Sequence, residues 1–145
     1  MLQKKLNLYR DAQKKNEWSD FGTVTSITDA IVLVVGLGDI GLHFARLASA
    51  LGAHVIGLKR SMGPCPEGVH EVHTMDELDE WLPKGDVVAS FVPSTAATHH
   101  MYTKELLMAM KDTAIFLNSG RGDAVASDFQ RSILGAPSIC DKSQL

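Results

Sequence analysis

The feature that most constrains this chain is an apolar run that leads directly into a glycine motif. Ile31–Val35 contains four β-branched residues and ends at Gly36, Gly38 and Gly41, which have G-x-G-x-x-G spacing. An amphipathic helix pattern follows at once. A strand, a tight turn and a helix N-terminus in this order form a site for the pyrophosphate of a dinucleotide. We therefore predict nucleotide contacts from the three glycines, Asp39 and Ile40, although the same spacing also occurs in plain structural turns.

Strand and helix patterns alternate along the rest of the chain. Further strands are predicted at 54–58, near 69–73, at 86–92 and at 113–117. The helix after the glycines places five apolar residues on one face (Ile40, Phe44, Leu47, Ala48 and Leu51) and ends at Gly52. A capping box at 74–77 begins a short helix that Pro83 ends, and Thr103 caps another. This alternation predicts an α/β fold, a Rossmann-type doubly wound parallel sheet with strand order 3-2-1-4-5.

The chain of 145 residues has room for one domain with a core. We predict a lead-in helix and linker at 1–29, a dinucleotide-binding domain at 30–127 and an irregular tail at 128–145. The lead-in segment is polar, and its apolar residues recur at irregular helical spacing, so the helix must pack on another surface to be stable.

Composition and charge exclude several functions. An apolar share of 45% and a charged share of 21% are those of an ordinary globular protein. A net charge of −3 without a basic cluster argues against nucleic acid as a partner. No apolar run approaches the roughly 18 residues of a membrane span. Cys65 and Cys140 lack metal-ligand spacing, so we predict no metal site and reduced thiols in a cytoplasmic protein.

The end of the second strand carries information on the cofactor. NAD-binding domains of this fold place an acid there, which accepts hydrogen bonds from the adenosine ribose. This chain instead has Lys59, Arg60 and Ser61, and two cations with a hydroxyl suit a 2′-phosphate. The sequence therefore favours NADP over NAD, although an ordinary solvated basic pair would look the same.

Three blocks resemble the nucleotide-binding domain of the D-isomer-specific 2-hydroxyacid dehydrogenases. They are the glycine motif at 35–41, Val92-Pro93-Ser94-Thr95-Ala96-Ala97-Thr98, and Met110-Lys111-Asp112-Thr113-Ala114 through Leu117-Asn118-Ser119-Gly120-Arg121-Gly122. With the weaker lead-in, the resemblance covers about residues 9–127. The third block is the most specific of the three.

The resemblance implies roles for individual residues in hydride transfer between a nicotinamide cofactor and a small 2-hydroxy/2-oxo acid. Arg121 would bind the substrate carboxylate and polarise its carbonyl, since a guanidinium can contact both groups. Thr98, Val92 and Pro93 would contact the nicotinamide half, together with Asn118, Ser119 and Gly120. The plainer alternatives are that Thr98 only forms a turn and that Arg121 is an ordinary surface arginine.

The resemblance also implies residues that this chain lacks. The family uses a His and a Glu as an acid–base pair, and both lie beyond the arginine. His99 and His100 follow the fourth strand but occupy positions without a family role. We therefore expect an incomplete dehydrogenase that is inactive by itself, with a sheet incomplete at its C-terminal side. An exposed fifth strand would then favour self-association, and family members usually form homodimers. A non-catalytic nucleotide-binding module or an inactive truncated fragment is the alternative, and an adenosylhomocysteinase-like enzyme is a third.

Overall fold

The computed structural model describes residues 5–24 and 26–126. In that part of the chain five strands form one parallel sheet: β1 Ile31–Val35, β2 His54–Lys59, β3 Glu71–Thr74, β4 Val87–Ser90 and β5 Ile115–Asn118. Their order is β3-β2-β1-β4-β5, so the predicted Rossmann-type topology is confirmed. The strand boundaries lie within two residues of the predicted ones. The third strand begins later because Gly68 has a φ of +82° and Val69 N donates to Pro66 O, which makes this segment a turn.

Four α-helices connect or precede these strands in the described residues: α1 Leu6–Lys14, α2 Asp39–Ala50, α3 Leu78–Trp81 and α4 Lys104–Met108. Both predicted N-terminal caps are present. Thr74 and Glu77 form the capping box, and the Thr103 hydroxyl accepts a hydrogen bond from Leu106 N. Gly52 follows α2 with a φ of +88°, which is the conformation that a glycine C-cap supplies. No helix in the described ranges has both the length and the apolar character needed to cross a bilayer.

The apolar core lies on both faces of the sheet, because alternate residues of each strand point to opposite sides. Leu33, Val35 and Val88 belong to one cluster, and Val32 and Val34 belong to the other. β1 is buried along nearly its whole length, as expected of a central parallel strand. Its carboxyl end is therefore a rigid starting point for the turn that follows.

The prediction for α2 needs a partial correction: Phe44 and Ala48 pack on the core as predicted, but three of the predicted apolar residues do not. Ile40, Leu47 and Leu51 have exposed fractions of 69%, 54% and 60%. The buried positions are Gly41, Ala45 and Ala48. At about 100° per residue this buried stripe lies roughly a quarter turn from the predicted one. Small residues let the helix approach the sheet closely, and the apolar arc of α2 is wide enough to include a second, exposed stripe.

The lead-in segment is largely exposed. Ala12 is the buried residue of α1, while Leu6 and Tyr9 are exposed. Tyr9 makes an edge-to-face contact with Phe21, with ring centroids 5.0 Å apart. Leu2, the first apolar residue of this segment, and the predicted tail at 128–145 lie outside the described residues. The predicted need of this helix for another surface therefore stays a prediction.

Asp86 joins the amino ends of the central strands. Its carboxylate accepts a hydrogen bond from Ile31 N at 2.8 Å and from Lys111 Nζ at 2.7 Å. The Asp86 carbonyl also accepts Ile115 N at 3.0 Å. These contacts fix β1, β4 and β5 at the edge opposite to the glycine turn.

Candidate dinucleotide site

The glycine turn at the carboxyl end of β1 is closely packed at two of its three glycines. Gly36 has a φ of +97°, and a Cβ there would lie 3.1 Å from the carbonyl of Phe91. A Cβ at Gly41 would lie 2.0 Å from the Gly36 carbonyl oxygen, far inside van der Waals contact. These two glycines therefore let the turn form and let α2 pack against it, as the motif predicts.

Gly38 differs from its neighbours because no protein atom lies within 4 Å of the position a Cβ would take. Its backbone is extended, with φ −78° and ψ −173°, so local conformation does not require glycine there. Gly38 is the N-cap of α2 and no side chain caps the helix, which leaves its first N–H groups to another partner. Asp39 and Ile40 are exposed beside it. This open helix N-terminus fits a phosphate group.

The predicted adenosine end of the site lies at the carboxyl end of β2. Lys59 is half-buried, and its Nζ lies 3.5 Å from the Pro64 carbonyl oxygen. Arg60 and Ser61 are exposed. Neither cation forms an ion pair with a carboxylate in the described part of the chain, so both charges are available to a ligand.

The loop after β4 contains three residues predicted to contact the nicotinamide half. Thr98 is buried, and its hydroxyl donates to the Pro93 carbonyl and accepts a hydrogen bond from Thr95 N. Val92 is 3% exposed and packs in the core, whereas Pro93 is exposed. The Thr98 hydroxyl is thus engaged within the loop and helps to hold its shape, and its contact with a cofactor stays a prediction.

Arg121 follows β5 on a turn that Asn118 organises. The Asn118 side chain accepts Gly120 N and donates to the Arg121 carbonyl, each at 3.0 Å. Ser119 N donates to Ser90 O at 2.9 Å, and a Cβ at Gly120 would lie 2.4 Å from Val92 O. The turn is thus tied to β4 while the Arg121 side chain is exposed, with no hydrogen bond or ion pair to any described residue.

Two histidines have carboxylate partners that the sequence did not reveal. His54 Nε2 lies 2.9 Å from Glu71, and His73 Nδ1 lies 2.9 Å from Glu77. These pairs belong to β2, β3 and the capping box, across the sheet from the β5 turn that carries Arg121. Within the described ranges no group of His, Cys, Asp or Glu has the arrangement of a metal site.

Glu77 should make stability depend on pH in the acid range. Hydrogen bonds from Thr74 N and then from the Thr74 hydroxyl lower the pKa of Glu77 from 4.5 to about 2. Because the pKa of Glu77 is lower in the folded state, its ionised carboxylate stabilises the fold. This contribution to the free energy of unfolding is complete above the unfolded pKa of 4.5 and is lost as pH falls from 4.5 towards 2. Glu77→Gln should therefore lower the free energy of unfolding at neutral pH, with a smaller difference from wild type near about pH 3.

Urea unfolding at both pH values measures this effect. Glu67→Gln is the matched control, because the Glu67 side chain is 86% exposed and lies 3.7 Å from Arg46. An equal loss of stability for Glu77→Gln at both pH values would contradict the assignment.

Comparison with known proteins gives one consistent family. A protein-family model described as "D-isomer specific 2-hydroxyacid dehydrogenase, NAD binding domain" matches residues 1–130. A glyoxylate reductase of Thermococcus onnurineus is 38% identical over 95 residues, which are 66% of this chain and 28% of that protein. A D-2-hydroxyacid dehydrogenase (NAD(+)) of Clostridioides difficile is 32% identical over 102 residues, 70% of this chain and 30% of that protein. The chain thus spans less than a third of these two curated relatives.

Solved structures agree with this match. A D-isomer specific 2-hydroxyacid dehydrogenase family protein of Aeromonas salmonicida superposes with a TM-score of 0.80 at 31% identity, covering 97% of this chain and 44% of that one. An NADPH-dependent glyoxylate/hydroxypyruvate reductase of Sinorhizobium meliloti, solved with NADP and sulfate, has a TM-score of 0.77 at 28% identity. That match covers 91% of this chain and 42% of the reductase.

Proposed function

The chain belongs to the D-isomer-specific 2-hydroxyacid dehydrogenase family as its NAD-binding domain, and on this premise we propose that it binds NADP(H) in preference to NAD(H). The observation that carries the preference is the pair of cations Lys59 and Arg60, which have no carboxylate partner among the described residues and lie at the same sheet edge as the open, uncapped N-terminus of α2 at Gly38. The pyrophosphate would lie at Gly38, and the 2′-phosphate would lie at the two cations and Ser61. An NADPH-dependent reductase and an NAD(+)-dependent dehydrogenase both resemble this chain, so the preference rests on the cations.

We propose that the substrate of the whole protein is a small 2-hydroxy/2-oxo acid and that Arg121 binds it. The exposed, unpaired guanidinium can form two hydrogen bonds to a carboxylate and polarise the neighbouring carbonyl. Asn118 fixes the backbone on which Arg121 stands, and Gly120 lets that turn lie against β4. A nicotinamide held beside Arg121 would provide the hydride chemistry. Arg121 holds the substrate and stabilises negative charge on its oxygen.

Oxalate, a non-reducible analogue of such an acid, tests this role. It should raise the unfolding midpoint of the NADPH complex, because a ligand that binds the folded state stabilises it. Arg121→Gln should remove most of this shift and keep NADPH affinity, whereas Arg10→Gln, on exposed α1, should preserve both. An equal oxalate effect in wild type and Arg121→Gln would overturn the role of Arg121.

We propose further that the 145-residue chain binds its ligands without turnover. Catalysis of this kind needs a general acid beside the substrate. His54 and His73, whose ring nitrogens contact Glu71 and Glu77, lie on the β2–β3 side of the sheet, away from Arg121, and the resemblance gives no catalytic role to His99 or His100 in the loop after β4. NADPH oxidation by the purified chain with glyoxylate or hydroxypyruvate would contradict this proposal. A non-catalytic binding module is the second candidate, and it shares the same site. The cytoplasmic location remains a prediction from cysteine usage.

A second copy of the chain is the proposed partner. Ile40, Leu47 and Leu51 form an exposed apolar stripe on α2, and β5 pairs only with β4 among the described strands. Both features favour association. An unpaired edge strand offers N–H and C=O groups to a strand of another chain, and an apolar stripe is removed from water when another chain covers it. Sedimentation should show a dimer in wild type and a shift towards monomer in Leu47→Glu. A wild-type monomer at high concentration would contradict the proposal.

A further inference from the structure

A side-chain contact links the loop after β4 to the turn that carries Arg121. Ser94 lies in that loop, and its hydroxyl donates a hydrogen bond to Oδ2 of Asp123. The other oxygen of this carboxylate, Oδ1, is buried and has no hydrogen-bond partner in the described part of the chain. Ser94 thus provides the one side-chain hydrogen bond to the Asp123 carboxylate in the described part of the chain.

Backbone hydrogen bonds continue this contact into the rest of the two segments. His100 N donates to Asp123 O at 2.8 Å, and Tyr102 N donates to Ala124 O at 2.9 Å. Ala126 N donates in turn to Tyr102 O at 3.0 Å. Tyr102 is fully buried and packs edge-on against Phe116 of β5. The segment after Arg121 therefore lies along the segment after the β4 loop, and the two would move together.

The position of the Asp123 carboxylate also decides whether the Arg121 guanidinium is free to bind an anion. A carboxylate two residues from an unpaired guanidinium is a potential ion-pair partner for it. In the structure the carboxylate contacts Ser94 instead, and Arg121 stays free. The Ser94 hydrogen bond thus holds the Asp123 carboxylate in a position where Arg121 remains available to a substrate anion.

We infer that Ser94 and Asp123 are a positioning pair that holds the nicotinamide-side loop and the Arg121 turn together before a ligand binds. This inference rests on the proposed function, because it assumes that the loop and the turn line the nicotinamide half of the site. The pair does not contact the adenosine end, which lies at β2 on the other side of β1. Loss of the pair should therefore affect the two halves of the dinucleotide differently.

Calorimetric titration with NADPH and with 2′,5′-ADP separates the two halves. Ser94→Ala and Asp123→Ala should each weaken NADPH binding about fivefold, the effect of losing one hydrogen bond of ordinary net strength, and leave the Kd of 2′,5′-ADP unchanged. The double variant should be no weaker than the weaker single variant, because both remove the same contact. Ser94→Thr, which keeps the hydroxyl, should behave as wild type. Equal loss for both ligands, or no loss for NADPH, would overturn the inference.

Amide hydrogen exchange of the ligand-free chain provides a test that does not depend on binding. Residues 94–102 and 118–126 should exchange faster in Ser94→Ala and Asp123→Ala than in wild type or Ser94→Thr, because the link between the segments is lost. Unchanged exchange rates in these variants would overturn the role of the Ser94–Asp123 pair, even if NADPH binds well. Failure of the wild-type chain to bind either nucleotide, with the exchange difference present, would instead overturn the proposed function and leave the link established.

Discussion

Replacing Gly38 with valine is expected to abolish dinucleotide binding while leaving the stability of the fold nearly unchanged. The valine Cβ would meet no protein atom within 4 Å, and the extended backbone at Gly38 suits a β-branched residue. The side chain would instead occupy the space through which a pyrophosphate approaches the N–H groups of α2. We expect NADPH affinity to fall at least about 100-fold, or roughly 3 kcal/mol, with the unfolding midpoint preserved.

Gly41→Val is the matched comparison, since it introduces the same side chain at the third glycine of the motif. Its Cβ would lie 2.0 Å from the Gly36 carbonyl oxygen, so α2 would have to move away from the turn. We expect this variant to lose stability by about 3 kcal/mol or more, as overpacked backbone contacts do. Thermal unfolding and NADPH titration of both variants distinguish the two effects. A Gly38→Val protein that binds NADPH normally would contradict a phosphate site at this turn.

The second large effect is expected at Lys59. Lys59→Asp places an acid at the end of β2, where it can accept hydrogen bonds from ribose hydroxyls and repel a 2′-phosphate. We expect NADPH affinity to fall about 100-fold and NADH affinity to rise, because charge-assisted contacts to the phosphate are replaced by like-charge repulsion. Lys104→Asp changes the net charge equally at an exposed position on α4 and should leave the ratio of affinities unchanged. An unchanged ratio in Lys59→Asp would show that the basic pair is merely solvated.

The parts of the fold with strong local signals could be predicted from the sequence. β1 and the glycine turn were predictable because a β-branched run and G-x-G-x-x-G leave few alternative structures. The capping box at Thr74 and the glycine cap at Gly52 are also local, since each depends on residues within one helical turn. The sheet order could be predicted because right-handed crossovers join β1 to β2, β2 to β3 and β4 to β5 as neighbours, and in a Rossmann-type sheet the chain passes from β3 to the other side of β1.

The features that sequence analysis missed depend on tertiary packing. The buried stripe of α2 could not be identified because the helix carries apolar residues over a wide arc, and small residues such as Ala45 allowed the closest approach. The contact between Ser94 and Asp123 joins residues 29 positions apart, and each residue by itself looks like a loop residue.

Calorimetric titration of the purified wild-type chain with NADPH and with NADH, at one salt concentration, tests the central claim most directly. We expect saturable binding of both cofactors, with the tighter Kd for NADPH because Lys59 and Arg60 face no carboxylate in the described structure. Tighter binding of NADH would contradict the proposed role of these cations. Binding of neither cofactor would contradict the claim that this chain contains a working dinucleotide site.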